Sequence, residues 1–278
     1  MRSDDILRLS AGVGKVGYFG KSLYGHPLAV ASLGKRAPGG VLIVGAIHAR
    51  EHITAKLLSA LAAEYTGDYP IDVVPCLNPD GVILATEGPE AFSLKAADRL
   101  KLLRINDGSG DFSLWKGNLR AVDLNTNFDA KWGQGEKNVR KPAPENYIGP
   151  APGSEPETAA AMRLMSEGKY ALVVAYHSKG EEVYWGFDDY EGYYDEARSV
   201  AAALGYALKR TPNSTGGLKD YWIDKYRLPG LTVEVGEDKY PHPYPEERLP
   251  ELIIRHRGIF DLYAEIAKKV WTDKSKST

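Results

Sequence analysis

Val41-Leu-Ile-Val-Gly-Ala-Ile-His-Ala-Arg-Glu-His-Ile53 contains the change of periodicity on which the fold turns. Val41 to Val44 is continuously apolar, as a strand buried on both faces is, whereas Ile53, Leu57, Leu58 and Leu61 recur at helical spacing. His48 and Glu51 fall between the two patterns. A straight strand points residues three apart to opposite faces, so the chain must turn, or start a helix, for these side chains to meet. In an open α/β sheet such a junction, at the carboxyl end of a strand, is where ligands bind.

His177 closes a second apolar run, Ala171-Leu-Val-Val-Ala-Tyr176, and is followed by the loop Ser178-Lys-Gly180. With His48 and Glu51 it supplies two imidazoles and one carboxylate, the ligand set of a catalytic zinc that keeps a fourth position open for water. The same string also reads HxxEH, in which His48 and His52 would bind metal and Glu51 would be the base. That reading needs both histidines on one helical face, whereas Gly45-Ala-Ile-His48 continues an apolar strand. Glu234, inside Leu231-Thr-Val-Glu-Val-Gly236, is the next informative residue, because an unpaired carboxylate in an apolar strand is costly to bury. Facing a metal, it can act as general base on the bound water and then as acid to the leaving amine. A strand with one exposed face is the bland alternative.

Strand-like runs at 41–47, 71–77, 171–177 and 231–235 alternate with helical patterns at about 53–66, 155–167 and 191–204. Two or three further strands, one in Pro27-Leu-Ala-Val-Ala-Ser32, are expected to complete the sheet. A last helix is expected from about Pro250 to Val270, with Thr272 to Thr278 frayed. Residues 86–155, rich in Gly, Pro, Asn and charge, are too long for an ordinary connection and are expected to carry function.

The 278 residues can bury a full core, and the expectation is a single α/β domain over 1–278, a mixed twisted sheet with helices on both faces. A hydrophobic content of 43%, a charged content of 26% and a net charge of -2 give no reason to expect a nucleic-acid partner. No run approaches a membrane span. Met1 to Ser10 lacks the apolar stretch of a signal peptide, so a cytoplasmic location is expected, with export by another route left open. Cys76, the only cysteine, lies in an apolar stretch and reads as core.

Gly12-Val-Gly-Lys-Val-Gly17 matches GxGxxG but has neither a strand before it nor an acidic residue about twenty positions on. Gly20-Lys-Ser22 imitates the end of a phosphate loop whose first glycine is out of register. His26, His242 and His256 lack an obvious partner and read as surface or structural residues.

Taken together, the segments resemble the zinc carboxypeptidase superfamily. Ala46-Ile-His-Ala-Arg-Glu51 looks like its first zinc motif, Asn78-Pro-Asp-Gly81 its following turn, and Val122-Asp-Leu-Asn-Thr-Asn-Phe128 its substrate-carboxylate motif. Ala175-Tyr-His-Ser178 resembles the third-ligand strand and Thr232-Val-Glu-Val235 the catalytic-glutamate strand. Order and spacing agree from about Gly20 to Val270. The resemblance implies one zinc ion on His48, Glu51 and His177, with Glu234 as base. It implies Arg120, in Trp115-Lys-Gly-Asn-Leu-Arg120, as the residue that stabilises the oxyanion, a task suited to a fixed guanidinium; Lys116, one short turn away, is the other candidate.

Departures from the pattern bear on substrate choice. Thr126 follows Asn125 where the family's arginine holds a terminal carboxylate, and a neutral hydroxyl cannot replace a bidentate ion pair. Aligning Thr215-Gly-Gly217 with the family's similar loop puts Pro212 where digestive enzymes carry a mobile tyrosine. Lys219 then falls at the residue that selects the substrate side chain, where it would favour an acidic group. His52 stands where those enzymes commonly have tryptophan. These features look most like the bacterial branch of γ-D-glutamyl-diaminopimelate peptidases, which implies a peptide substrate derived from the cell wall. An amidohydrolase of small N-acyl amino acids and a catalytically silent zinc-binding module are the rival readings.

Overall fold

The computed structural model describes residues 14–276, which form one eight-stranded sheet and eight helices. Four parallel strands make its centre: β3 (Val41–Val44), β4 (Ile71–Val74), β5 (Leu172–His177) and β8 (Gly230–Glu234). They are buried almost without interruption, as strands covered on both faces must be. β1 (Lys15–Lys21) and β2 (Pro27–Leu33) extend one side antiparallel, while β6 (Glu182–Trp185) and β7 (Ala207–Lys209) extend the other, giving the order β1-β2-β4-β3-β5-β8-β6-β7.

The helices are α1 (Ile53–Glu64), α2 (Pro79–Glu87), α3 (Ala96–Ile105), α4 (Pro156–Glu167), α5 (Tyr194–Leu204), α6 (Leu218–Tyr226), α7 (Leu249–His256) and α8 (Ile259–Lys276). α8 packs on β3 and β5, α6 on β5 and β8, and α4 on β1. β5 displays the two-faced burial directly. His177 faces the candidate site, while the preceding Tyr176 turns to the other face, where its hydroxyl lies 3.0 Å from that of Tyr263 and 3.3 Å from His256 Nδ1. His256 is therefore a buried structural residue, and Tyr206 occupies its other nitrogen at 3.0 Å. Among the described residues no helix is long and apolar enough to cross a membrane.

Two expectations need correction. The final helix is not continuous: Gly258, at a φ of 78°, separates α7 from α8. Nor does it fray at Thr272, since α8 continues to Lys276. In the GxGxxG string, Gly12 and Val13 lie outside the described residues and Lys15 to Gly17 belong to edge strand β1.

The long 86–155 segment is organised by its own small core, in which Phe92, Leu102, Phe112 and Trp115 pack with Ala46, Ala49 and Cys76. Burial pushes the Cys76 thiol up to about 12, consistent with an inert role. Polar contacts close the far end of the segment. Asn118 Nδ2 donates to Glu155 Oε2 at 2.7 Å and to Glu157 Oε2 at 3.4 Å, and Leu23 N donates to Glu157 Oε1 at 2.9 Å. Both glutamates are fully buried.

Burial pushes the Glu157 carboxyl up to about 7, so the fold favours its protonated form. Its stabilising contribution is complete below the unfolded value of about 4.3 and is lost as pH rises through about 7. Glu157→Gln, which keeps an acceptor for Leu23 N without the charge, is expected to raise the melting temperature at pH 8 and to change it much less at pH 5. Melting curves at the two pH values check this, and equal shifts at both would contradict it.

Candidate metal centre and active site

β3 ends at Val44 because the chain turns sharply behind it. A Cβ on Gly45 would lie 2.7 Å from Leu58 Cδ1 and 2.9 Å from Pro75 O, so only glycine fits this passage, and Ala46 then takes a φ of 42°. The strand direction is broken. His48 leads into a short 3-10 turn, Ala49–Glu51, that brings its side chain and that of Glu51 to the same side. The turn is held by Ala49 N donating to Lys116 O at 3.0 Å and Arg50 N to Trp115 O at 2.9 Å. Asn78 braces the arrangement, its Nδ2 donating to Ile47 O and Gly117 O at 3.1 Å each while its Oδ1 caps α2.

His48, Glu51 and His177 offer ligand atoms within 4.8 Å of one another, all buried. His48 Nδ1 lies 2.8 Å from Glu51 Oε1, His177 Nδ1 lies 2.9 Å from Glu51 Oε2, and the two Nδ1 atoms are 3.1 Å apart. One proton at most can sit between two ring nitrogens, so this convergence of lone pairs suits a divalent cation with all three as ligands. The residues fit the group on chemistry as well as position. His48 Nε2 comes within 3.2 Å of Asp123 Oδ1, the kind of outer partner that fixes a ligating imidazole. His52 is not part of the group. Its Nδ1 sits 3.7 Å from Glu246 Oε1, and burial brings the ring down to about 4, so it is neutral.

The charges around this group alternate. Burial raises the Glu51 carboxyl, but the His48 charge and the hydrogen bonds from both imidazoles outweigh it and hold the group well below the carboxylate range. Asp123 is buried too, and Lys116 at 2.9 Å and His48 hold its carboxyl well below the usual carboxylate range. Glu234 pairs in register with His177 at the ends of β8 and β5, which puts both side chains on one face of the sheet. Burial pushes its carboxyl up to about 8.

A cavity of about 390 Å³ is lined by His48, Lys116, Asn125, Thr126, Lys219 and Glu234 among others. Arg120 does not reach it. Asn118 Oδ1 accepts from Arg120 N at 3.0 Å and Val122 N at 3.2 Å, and Ala121 takes a φ of 64°, so residues 118–122 form a tight reversal. Arg120 sits on that reversal with its side chain 51% exposed, 3.5 Å from Glu155 Oε1. Lys116 occupies the cavity in its place, 16% exposed, its ammonium held by Asp123 and by Asn146 Oδ1 at 3.1 Å. The preceding Trp115 is fully buried in the small core of the 86–155 segment, which anchors the chain just before Lys116.

The other expected residues reach the cavity with much of their bonding capacity used. Thr126 Oγ1 donates to Asp123 O at 2.9 Å, and Asn125 Oδ1 accepts from Leu218 N at 3.0 Å. Lys219 Nζ donates to Gly186 O and Asp220 Oδ1 at 2.6 Å each. It is half of a buried ion pair rather than a lone charge.

A zinc carboxypeptidase family model matches residues 10–251. The chain belongs to the zinc carboxypeptidase family. Zinc is the metal of that family, and His48, Glu51 and His177 form a group able to hold it. Over 179 residues, 63% of the chain, it is 38% identical to gamma-D-glutamyl-L-diamino acid endopeptidase 1 of Lysinibacillus sphaericus. It is 31% identical over 58% of its length to murein peptide amidase A of Escherichia coli K12. These alignments span 44% and 57% of the two relatives. Among solved structures, bovine thrombin-activatable fibrinolysis inhibitor superposes with a TM-score of 0.73 over 98% of this chain and 95% of its own, at 18% identity, a likeness of fold.

The wild-type protein is expected to retain one zinc per chain after dialysis, and His177→Ala to lose it together with the thermal stabilisation that added zinc confers. Metal analysis paired with melting curves reads both. Stoichiometric zinc in the variant would show that the metal lies elsewhere.

Proposed function

We propose that this protein is a zinc-dependent peptidase that cleaves an amide bond beside a diamino acid in peptides derived from peptidoglycan. The placement of Glu234 in register with His177, beside a three-residue group able to hold metal, carries the reading. Bound zinc supplies a water of lowered pKa and polarises the scissile carbonyl. The chain's own residues do the rest. Glu234 takes a proton from the attacking water and gives it to the departing amine nitrogen, a return step suited to a carboxyl pushed up by burial. Lys116, its ammonium fixed by Asp123 and Asn146, donates to the oxygen that becomes negative. Asn125 offers the cavity its amide nitrogen, and the Lys219–Asp220 pair suits a substrate side chain bearing both an amine and a carboxylate.

The names of the two curated relatives support a bond in murein-type peptides, one acting as an endopeptidase and the other as an amidase. Hydrolysis of L-Ala-γ-D-Glu-meso-diaminopimelate by the zinc-loaded protein tests the reading against a blocked dipeptide ending in phenylalanine, the ordinary carboxypeptidase substrate. The first peptide alone is expected to be cleaved. Lys116→Met is expected to lower kcat by roughly 100- to 1,000-fold, and Glu234→Gln at least as much, whereas Arg120→Met changes it only a few-fold. A larger loss from Arg120→Met than from Lys116→Met would reverse the assignment of the oxyanion residue.

A further inference from the structure

Three side chains next to the metal-competent group have no part in the chemistry above. Arg50 precedes Glu51, Lys179 follows His177 by two residues, and His242 belongs to the loop after β8. The side chains of Arg50 and Lys179 are only 19% and 14% exposed, yet their acidic partners, Glu145 at 3.2 Å and Asp238 at 2.7 Å, are 49% and 84% exposed. A fixed and largely buried cation whose partner is a solvated surface carboxylate can exchange that partner for another at small cost, because the displaced one regains its hydration. His242 Nδ1 is buried and has no hydrogen-bond partner. The loop that carries His242 also supplies Asp238 to Lys179, and its Gly236 O accepts from Gly180 N at 2.8 Å, while the charges that act on the His242 ring are those of Glu51, Arg50, Lys179 and His48.

None of the three lines the cavity that holds Asn125, Thr126 and Lys219. If that cavity receives the amine side of the scissile bond, they are left to the acyl side. Resting on the peptidase reading above, we infer that Arg50, Lys179 and His242 form a subsite for a carboxylate carried by the residue on the acyl side of the scissile bond. A γ-linked glutamyl residue presents such a group, because linkage through the side chain leaves its α-carboxylate free. The subsite accepts it through charge-assisted hydrogen bonds from Arg50 and Lys179, and the unpartnered His242 nitrogen adds a third polar contact.

The deciding experiment compares L-Ala-γ-D-Glu-meso-diaminopimelate with the same peptide bearing an amide in place of the glutamyl α-carboxylate. The zinc-loaded wild type is expected to prefer the acid by about tenfold to a hundredfold in kcat/KM, mostly through KM. Lys179→Met should bring that ratio toward one, and Lys179→Arg should restore most of it. Equal cleavage of both peptides by the wild type, or a Lys179→Met loss that falls equally on both, would overturn the subsite. If neither peptide is cleaved, the peptidase reading fails by itself, and calorimetric binding of the two peptides to zinc-loaded Glu234→Gln protein still decides the subsite. A preference for the acid that Lys179→Met abolishes supports it; equal affinity overturns it.

Discussion

Glu51 lies between two imidazoles at 2.8 and 2.9 Å, and Asp123 lies between His48 and Lys116 at 3.2 and 2.9 Å. This buried run of alternating charge is the constraint around which the rest is arranged. An isolated charge taken out of water costs several kcal/mol, and removing one partner from a buried set leaves the next uncompensated. The five groups come from three stretches of chain, 48–51, 116–123 and 177, so each stretch must be held in place before any of the charges is satisfied. That explains why so many backbone contacts converge here: Ala49 and Arg50 on the 115–116 turn, Asn78 on both Ile47 and Gly117, Ser178 N on Glu51 Oε2 at 3.2 Å. A divalent cation completes the set, and its removal leaves lone pairs facing one another.

The wall of the cavity obeys a steric rule as strict as the electrostatic one. Gly216, at a φ of 82°, crosses the backbone of Thr126, where a Cβ would lie 2.7 Å from Thr126 O. This crossing presses the loop before α6 against the 3-10 turn Leu124–Thr126 and sets the distance between Lys219 and Asn125. Pocket shape therefore depends on backbone packing between two irregular segments, and side-chain substitutions within it act on a fixed frame.

Periodicity made the sheet legible. The central strands are apolar on both faces and α1 repeats at helical spacing, so their type follows from pattern, and the HxxE string falls at their junction with nothing else to explain it. What pattern does not record is where an irregular chain reverses. Arg120 and Lys116 are equally plausible in sequence, and what distinguishes their positions is the tight reversal at Asn118 and Ala121, which carries Arg120 out to Glu155 while Lys116 lines the cavity. Lys219 was legible as a cavity residue but its charge was not legible as spent, because the adjacent Asp220 that neutralises it is read only from the hydrogen bond. Gly258 is the same lesson in a helix: one residue at positive φ divides an apolar repeat that runs on uninterrupted in sequence.

The spent donors bear on how discrimination can arise. With Thr126 committed to Asp123 O and Lys219 committed to Asp220, neither residue offers an unmatched full charge with which to seize a terminal carboxylate. A site built from paired or neutral polar groups binds each anion weakly, but it rejects strongly any ligand that fails to replace the hydrogen bonds it disturbs. Arg50 and Lys179, largely buried cations whose carboxylate partners are exposed, lie outside that cavity. If Arg50 and Lys179 form the proposed subsite, charge recognition and shape recognition are divided between the two sides of the metal-competent group. On the proposed reading, a substrate would carry one anion on the acyl side and a side chain with both an amine and a carboxylate on the other, a far narrower demand than a free carboxyl terminus alone.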